Sequence, residues 1–428
     1  MKNLNFYPKV LIIGASFDDC TGAGVTLTNL FKDWPSDKLA VADYRVCEDG
    51  RLLCRPCSAT YSFKQSITAY AAPKAEKQGC SKRSLLRQSV SSWYRLLGIG
   101  DIRSPMSCNE SFLNFFDNFN PDIVFTPLGS IASMHFFREL MQKRQFKPVI
   151  HIWDDFLPRL NNRLFPAVWK AYADYLFKNI LSRADMLCLS IGDKMTKEYA
   201  RRYGREFFPF HNPVDIDEWD SVPQTDTRNF TVSYFGKINA NTEESLLDLC
   251  KAVDILNQQG YCVGFAMHSG KINPHFSEKV SAFRHSHVCE KIGREGIIHA
   301  FKSSSILFYP VSFDSQSIEY QKLSIHTKMT EYIASGVPIL LYAPKNIAVS
   351  EYLEKYNAAE ICNQGVNNLV AAIQNMMNNA SNMHSKVNNA YLLAKNEHNA
   401  PVVRERFLQT ICHRESRMLS KNIDSDSL

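Results

Sequence analysis

No stretch of this 428-residue chain approaches about 18 consecutive apolar residues, so an ordinary membrane-spanning helix is excluded. Charge of one sign is lacking too: 49 lysines and arginines against 43 acidic residues leave a net charge of +6. So mild an excess permits contact with an anionic lipid surface but is too diffuse to argue for a nucleic-acid partner. Paired cysteines are scarce. The 12 cysteines are scattered over a long chain, which does not suit a disulfide scaffold, and Cys188 and Cys250 sit inside apolar patterns as small hydrophobes. Cys54 and Cys57 form one Cys-x-x-Cys pair. With Cys47 and Cys80 they could frame a four-thiolate zinc site, but the second pair that such a site expects is missing. His285, His287 and Cys289 lack a second ligand pair in the same way, so no metal is expected. The first apolar run is too short for a signal peptide and meets acidic residues at once, which predicts a cytoplasmic protein.

What the chain does contain is enough length for two domains with real cores, and ordinary globular proportions, 45% hydrophobic and 21% charged. Its most informative stretch is residues 324–342, SIHTKMTEYIASGVPILLY. Met329, Tyr332 and Ile333 recur at the spacing of an amphipathic helix. Gly336 suits the left-handed turn after a helix and Pro338 stops any continuation. Residues 339–342 then read as a strand buried on both faces. Thr327, Lys328 and Glu331 share the opposite side of the helix, because residues three and four apart stack. A helix start attracts phosphate through its free N–H groups and macrodipole; Lys328 adds a charge there, and Glu331 can accept from sugar hydroxyls. An ordinary capped surface helix would show the same spacing.

The order Thr-Lys-x-x-Glu-Tyr-x-x-x-Gly-x-Pro before a strand resembles the donor-site helix of glycosyltransferase family four, with Glu331, Ala334, Gly336 and Pro338 matching Glu-x-x-Ala-x-Gly-x-Pro. The resemblance implies the GT-B fold: an α/β protein of two Rossmann-like, doubly wound domains facing a central cleft. It also implies that Glu331 binds the ribose of a nucleotide sugar.

The rest of the chain fits that frame. Residues 9–13 are a strand, and Thr21, Gly22 and Gly24 form a small-residue loop before a helical pattern. That order suits close approach of backbone to a phosphate or sugar, or simply tight packing. In the resembling enzymes such a loop faces the cleft. Residues 39–46 read as a second strand, whereas residues 58–104 show no clear strand signal. Within them, 82–99 is a basic amphipathic stretch, with Leu85, Trp93 and Leu97 among its apolar side and Lys82, Arg83, Arg87 and Arg95 at its margins. It reads either as a core helix with a solvated edge or as an interfacial helix on an anionic bilayer. Residues 121–129 give a strand, with Gly129 and Ser130 opening a helix. The strand at 148–156 ends in Asp154 and Asp155, placed where ligands collect in open α/β sheets, or capping the segment that follows. Family members often carry a histidine–aspartate pair here; Asp154 stands in the histidine position. His151, inside the strand, reads as a packed core histidine.

Residues 184–190 are a strand leading into a helix, and the segment Asn212-Pro213-Val214-Asp215 resembles the one with which the family leaves its first domain. The domains are therefore expected at 1–212 and 213–399, with 400–415 crossing back and 416–428 a disordered tail. In the second, a strand over 230–235 runs into Gly236 and Lys237, a basic residue that resembles the family's contact to the donor diphosphate. The second basic residue expected about five positions on is absent. The family's other glutamate, eight positions before Glu331, is replaced by Leu323; Glu319 and Asp314, on what reads as the same loop, are the substitutes at hand.

What the resemblance implies is a retaining, metal-independent glycosyltransferase without a bound cofactor, a nucleotide sugar serving as co-substrate. Asp154, Asp155, Lys237 and Lys328 are its expected catalytic residues, and Gly236, Thr327 and Glu331 complete the donor site. The acceptor is a glycan or a lipid-linked one in surface-polysaccharide synthesis, with the enzyme on the inner face of the cell membrane. A nucleotide-sugar epimerase of the same fold and a non-catalytic nucleotide-sugar-binding protein are the alternatives.

Overall fold

The computed structural model describes residues 7–19, 21–44, 53–63, 96–98, 106–222, 230–239, 241–270 and 272–412. The chain divides into two units: Met1–His211 with Arg404–Leu428, and Asn212–Val403.

The first unit is an alternation of buried strands and helices: β1 (Val10–Ile13), α1 (Gly22–Leu30), β2 (Leu39–Asp43), β3 (Ala59–Ser62), α2 (Glu110–Phe119), β4 (Ile123–Thr126), α3 (Ile131–Lys143), β5 (Lys147–Ile152), α4 (Pro166–Leu181), β6 (Leu187–Ser190), α5 (Asp193–Tyr203) and β7 (Phe208–Pro209). The strands form one parallel sheet in the order β3-β2-β1-β4-β5-β6-β7. β1, β2 and β4 are buried at every position, as a sheet covered on both faces requires. β3 was not expected. It is a half-buried edge strand of Ala-Thr-Tyr-Ser, too short and too polar to show a buried-strand pattern.

The second unit runs α6 (Ile216–Asp220), β8 (Phe230–Phe235), α7 (Glu243–Gln258), β9 (Val263–His268), α8 (Pro274–Ser281), β10 (Ser286–Cys289), α9 (Arg294–Lys302), β11 (Ile306–Pro310), α10 (Ser315–Gln321), α11 (Lys328–Ala334), β12 (Ile339–Tyr342), α12 (Ala348–Lys355), β13 (Glu360–Cys362), α13 (Val366–Asn378) and α14 (Ala380–Leu393). Its parallel sheet has the order β10-β9-β8-β11-β12-β13. Side chains alternate cleanly between two cores. Leu307, Tyr309, Ile339 and Leu341 join α11, α12 and α14 on one face. Ile306, Phe308, Leu340 and Tyr342 join α7 and α13 on the other. That alternation is what double winding produces from strands of period two.

The last helix, α15 (Ala400–Cys412), begins in the second unit, and its turns from Arg404 onward belong to the first. There Phe407 packs edge-on against Phe31 and Phe210, at 5.1 and 5.3 Å between ring centres, and Arg404 pairs with Asp33 at 2.6 Å.

In a sheet whose strand order reverses beside its first strand, the two central strands diverge at their carboxyl ends and leave a crevice. In the second unit those strands are β8 and β11, whose register pairs Val232 and Ser233 with Ile306 and Leu307. Farther along, Tyr332 of α11 bridges them. Its hydroxyl accepts from the Phe235 N–H and donates to the Phe308 carbonyl, both at 3.3 Å. Tyr332→Phe removes this bridge and strands a buried N–H, at a cost of about 1–3 kcal/mol. A fall in thermal midpoint of several degrees on that single-atom change is the expected reading, and an unchanged midpoint would show the bridge to be dispensable.

Candidate functional site

Of the residues expected to hold a donor, Gly236 and Lys328 come together beside that crevice in the second unit. Gly236 and Lys237 follow directly on β8, and Lys328 opens α11. The Lys328 ammonium lies 4.6 Å from the centre of the Tyr234 ring and 5.0 Å from that of Tyr309. A Cβ built on Gly236 would approach the Tyr234 hydroxyl to 2.9 Å and the Lys328 ammonium to 3.5 Å, so the glycine keeps this space open. Burial pushes the Lys328 pKa down to about 8, and Glu331 draws it back only in part. The two rings return some of the desolvation cost, on the order of 0.5–2 kcal/mol each. An ammonium enclosed in this way attracts an anion more strongly than one in water.

Neighbouring groups fix the lysine in place. Asn212, almost fully buried, donates to the Thr330 hydroxyl at 3.2 Å and to the Thr327 carbonyl at 3.5 Å, pinning the start of α11. Met329, Tyr332 and Ile333 anchor the helix below, each no more than 1% exposed. His326 stacks on Tyr309, its Nδ1 3.1 Å from the tyrosine hydroxyl. Lys237 is exposed; its carbonyl accepts from the Tyr234 hydroxyl at 2.7 Å, which holds the turn after β8. Sequence reasoning missed Tyr234, Tyr309 and His326. No motif marks them, but two tyrosines at the ends of adjacent central strands were visible as aromatic residues where apolar runs stop.

Some expectations change. The helix carrying Lys328 has seven residues, Thr327 itself has helical torsions, and no side chain caps it. The positive charge here is therefore the lysine, not a long helix's macrodipole. Asp314 and Glu319 do not share a loop. Asp314 is the N-cap of α10 and accepts from the Ser317 N–H at 2.8 Å, which lowers its pKa; Glu319 is exposed on that helix. Leu323 is buried.

In the first unit, Thr21 caps α1 by accepting from the Gly24 N–H at 3.0 Å. Asp18 folds over the same turn, accepting from the Thr21 N–H at 2.6 Å and its hydroxyl at 2.9 Å. A Cβ on Gly24 would lie 2.3 Å from the Asp18 side chain, so this glycine serves a tight internal turn; Gly22 is the first residue of α1. The anion at the start of α1 is the protein's own carboxylate.

Asp154 and Asp155, adjacent in sequence, part company in space. Asp155 is buried, and Arg202 clasps both of its oxygens at 2.9 and 3.1 Å while Tyr199 donates to one at 3.0 Å. Asp154 is partly exposed and pairs with Arg159 at 2.6 Å. Arg159 reaches over a cavity of about 150 Å³ shared with Gly129, Ser130, Phe156 and Arg163. His151 is wholly buried, and burial holds it neutral with a pKa of about 3. Of the amphipathic stretch 82–99, all but residues 96–98 lie outside the described residues, as do Cys47, Cys80 and the tail 416–428.

Against solved structures, nearly the full length of the chain aligns. Sucrose-phosphate synthase from Thermosynechococcus elongatus matches at a TM-score of 0.61 and 11% identity, over 98% of this chain and 100% of that one. HepE from Anabaena, in complex with UDP-glucose, matches at 0.61 and 12%, over 95% and 99%. A putative UDP-N-acetylglucosamine 2-epimerase from Listeria monocytogenes matches at 0.52 and 12%, over 96% and 98%. Neither a family model nor a curated protein sequence matches the chain. The shared feature is the fold: two parallel α/β sheets in two units, the GT-B architecture.

Asp155→Asn leaves the Arg202 guanidinium without its main buried partner and is expected to destabilise on the order of 3 kcal/mol. Asp154→Asn, in a surface pair, should stay within about 1 kcal/mol; equal losses in chemical denaturation would contradict this division. Lys328→Met should leave the thermal midpoint of the free protein unchanged or raised, since it relieves a buried charge, yet abolish any midpoint shift given by nucleoside diphosphates. The pH trends are opposed. Between about 8 and the ordinary lysine value of 10.5 the unfolded chain binds a proton that the fold does not, so this group adds stability as pH rises. Diphosphate affinity should instead fall as pH rises past about 8, because the free site loses its ammonium.

Proposed function

We propose that this chain is a retaining, metal-independent glycosyltransferase that moves a sugar from a nucleoside-diphosphate sugar to a glycan or lipid-linked acceptor in cell-surface polysaccharide assembly. The observation that carries the reading is the enclosed Lys328 ammonium beside Gly236, at the carboxyl ends of the two strands where the order of the second sheet reverses. Ligands of open α/β sheets gather at that point. A cation fixed there answers the charge of a departing diphosphate.

In this reading the bond between the sugar's anomeric carbon and the diphosphate oxygen breaks, and its electron pair leaves with the nucleoside diphosphate. Lys328 and the more exposed Lys237 stabilise that charge as it develops, which is where electrostatic catalysis has its largest effect. An acceptor hydroxyl attacks the anomeric carbon from the face the diphosphate leaves, and its proton passes to the departing diphosphate oxygen. Glu331, half-exposed on the same helix, takes the ribose hydroxyls, with Thr327 beside it. On the first unit Asp154 is the carboxylate offered to acceptor hydroxyls, whereas Asp155 acts only by holding the segment after β5. Retention of configuration and the polysaccharide role rest on the resemblance of residues 324–342. The likeness to HepE, solved with UDP-glucose, supports a nucleotide-sugar donor.

The decisive experiment measures nucleoside diphosphate release from a panel of nucleotide sugars with and without glycan or polyprenyl-linked acceptors. Acceptor-dependent release is expected, and Lys328→Ala should slow it by about 10²–10³-fold. Near-normal turnover in that variant removes Lys328 from the chemistry. Epimerised donor without any acceptor would instead establish an epimerase, and tight nucleotide binding with no turnover a non-catalytic protein.

A further inference from the structure

The chain leads from the carboxyl end of β11, by way of α10, to Lys328, and the segment between α10 and α11 is fastened on several sides. Ser317 of α10 donates to the Asn241 side chain at 3.2 Å, which ties that helix to the turn after Lys237. The Lys322 carbonyl accepts from the Ala348 N–H, at the start of α12, at 2.9 Å. His326 stacks on the ring of Tyr309. Two polar atoms are buried in this fixed segment. Gln321 is 5% exposed and Ser324 7%, yet the Gln321 Oε1 and the Ser324 Oγ have no hydrogen-bond partner among the described residues. The Ser324 N–H donates to the Gln321 carbonyl at 3.2 Å, so one tight turn separates the two side chains, with buried Leu323 between them in sequence. Such atoms do nothing for the fold. A buried polar group left unmet destabilises, and an apolar side chain of the same size would sit there at less cost.

The chemistry of the two atoms decides what meets them. An amide oxygen only accepts hydrogen bonds, and a hydroxyl oxygen accepts as well as donates. The oxygens of a diphosphate also only accept, so Gln321 does not serve the group assigned to Lys328. It requires a ligand group that donates, and on a nucleotide sugar the hydroxyls are such groups. Resting on the function proposed above, we propose that Gln321 and Ser324 recognise the transferred sugar, the Gln321 Oε1 accepting from one ring hydroxyl and the Ser324 Oγ from another. The ring positions they read bear hydroxyls rather than a carboxylate, which would set acceptor against acceptor at Gln321. A site built in this way discriminates between sugars because a misplaced hydroxyl leaves its buried oxygens unpaired.

Titration calorimetry on the full chain tests this, first with UDP, GDP and ADP, then with the glucose, galactose and mannose conjugates of whichever binds. The wild type is expected to separate the three conjugates by at least about tenfold in affinity. Gln321→Leu and Ser324→Ala should each shrink that ratio by up to about tenfold, while affinity for the bare diphosphate stays within about twofold. Without ligand, the thermal midpoint of Gln321→Leu should be unchanged or raised, since the variant removes an unmet polar atom. Should that variant misfold, Ser324→Ala, a change of one atom, carries the test alone. Failure of all three diphosphates to bind overturns the proposed function and this inference with it. Diphosphate binding with equal sugar discrimination in wild type and variants overturns this inference alone. Loss of affinity for the bare diphosphate overturns it in favour of contact with the ribose or base, and a midpoint that falls in both variants overturns it in favour of a structural role.

Discussion

An ammonium enclosed by two rings and clasped by no carboxylate among the described residues is a costly thing for a protein to keep, and the second unit holds one. Lys328 lies over the rings of Tyr234 and Tyr309, its pKa drawn down by desolvation. A site that disfavours its own charge gains most when an anion arrives, since the attraction then acts with little water to weaken it. The same arrangement would serve stability poorly; methionine of similar length could fill the space. That imbalance is the ground on which the anion site is proposed.

Holding the ammonium there requires the backbone around it to be rigid, and each support has a visible cause. Tyr332 ties the diverging ends of β8 and β11 through one hydroxyl. Asn212 fastens the first turn of α11 from a segment that precedes β8 by many residues. Gly236 keeps the approach clear because any side chain there would strike the Tyr234 hydroxyl. Since the helix is only seven residues long, its packing rather than its dipole sets the geometry. The helix presents a lysine; the sheet decides where that lysine stands.

Much of this was legible from residues. The spacing of Met329, Tyr332 and Ile333, followed by Gly336 and Pro338, foretold a helix, a stop and a buried strand, because burial on one face and steric punctuation are local properties. The alternating runs foretold parallel double winding. What escaped was non-local. Edge strands β3, β10 and β13 carry half-buried, mixed residues and exist because a neighbour offers hydrogen bonds. The tyrosines around Lys328 come from two separate strands. Asp155 looked like the twin of Asp154 until Arg202 and Tyr199, more than forty positions away, were seen to take its oxygens. Partners of this kind are set by the fold and leave no spacing to read.

The two sheets share an order around their first strands, β3-β2-β1-β4 in one and β10-β9-β8-β11 in the other, so each has a crevice at the corresponding place. Their chemistry there is opposite. In the first unit the helix start after β1 is already answered by the carboxylate of Asp18 and the hydroxyl of Thr21, which leaves an incoming phosphate facing a like charge. In the second unit the turn after β8 is glycine and the nearest charge is an enclosed ammonium. Topology gives both units the same kind of crevice, and the sign of one side chain is what favours the second as the proposed diphosphate site. Gly24, in a stretch so like a phosphate-binding turn in sequence, makes room for the close approach of Asp18 instead.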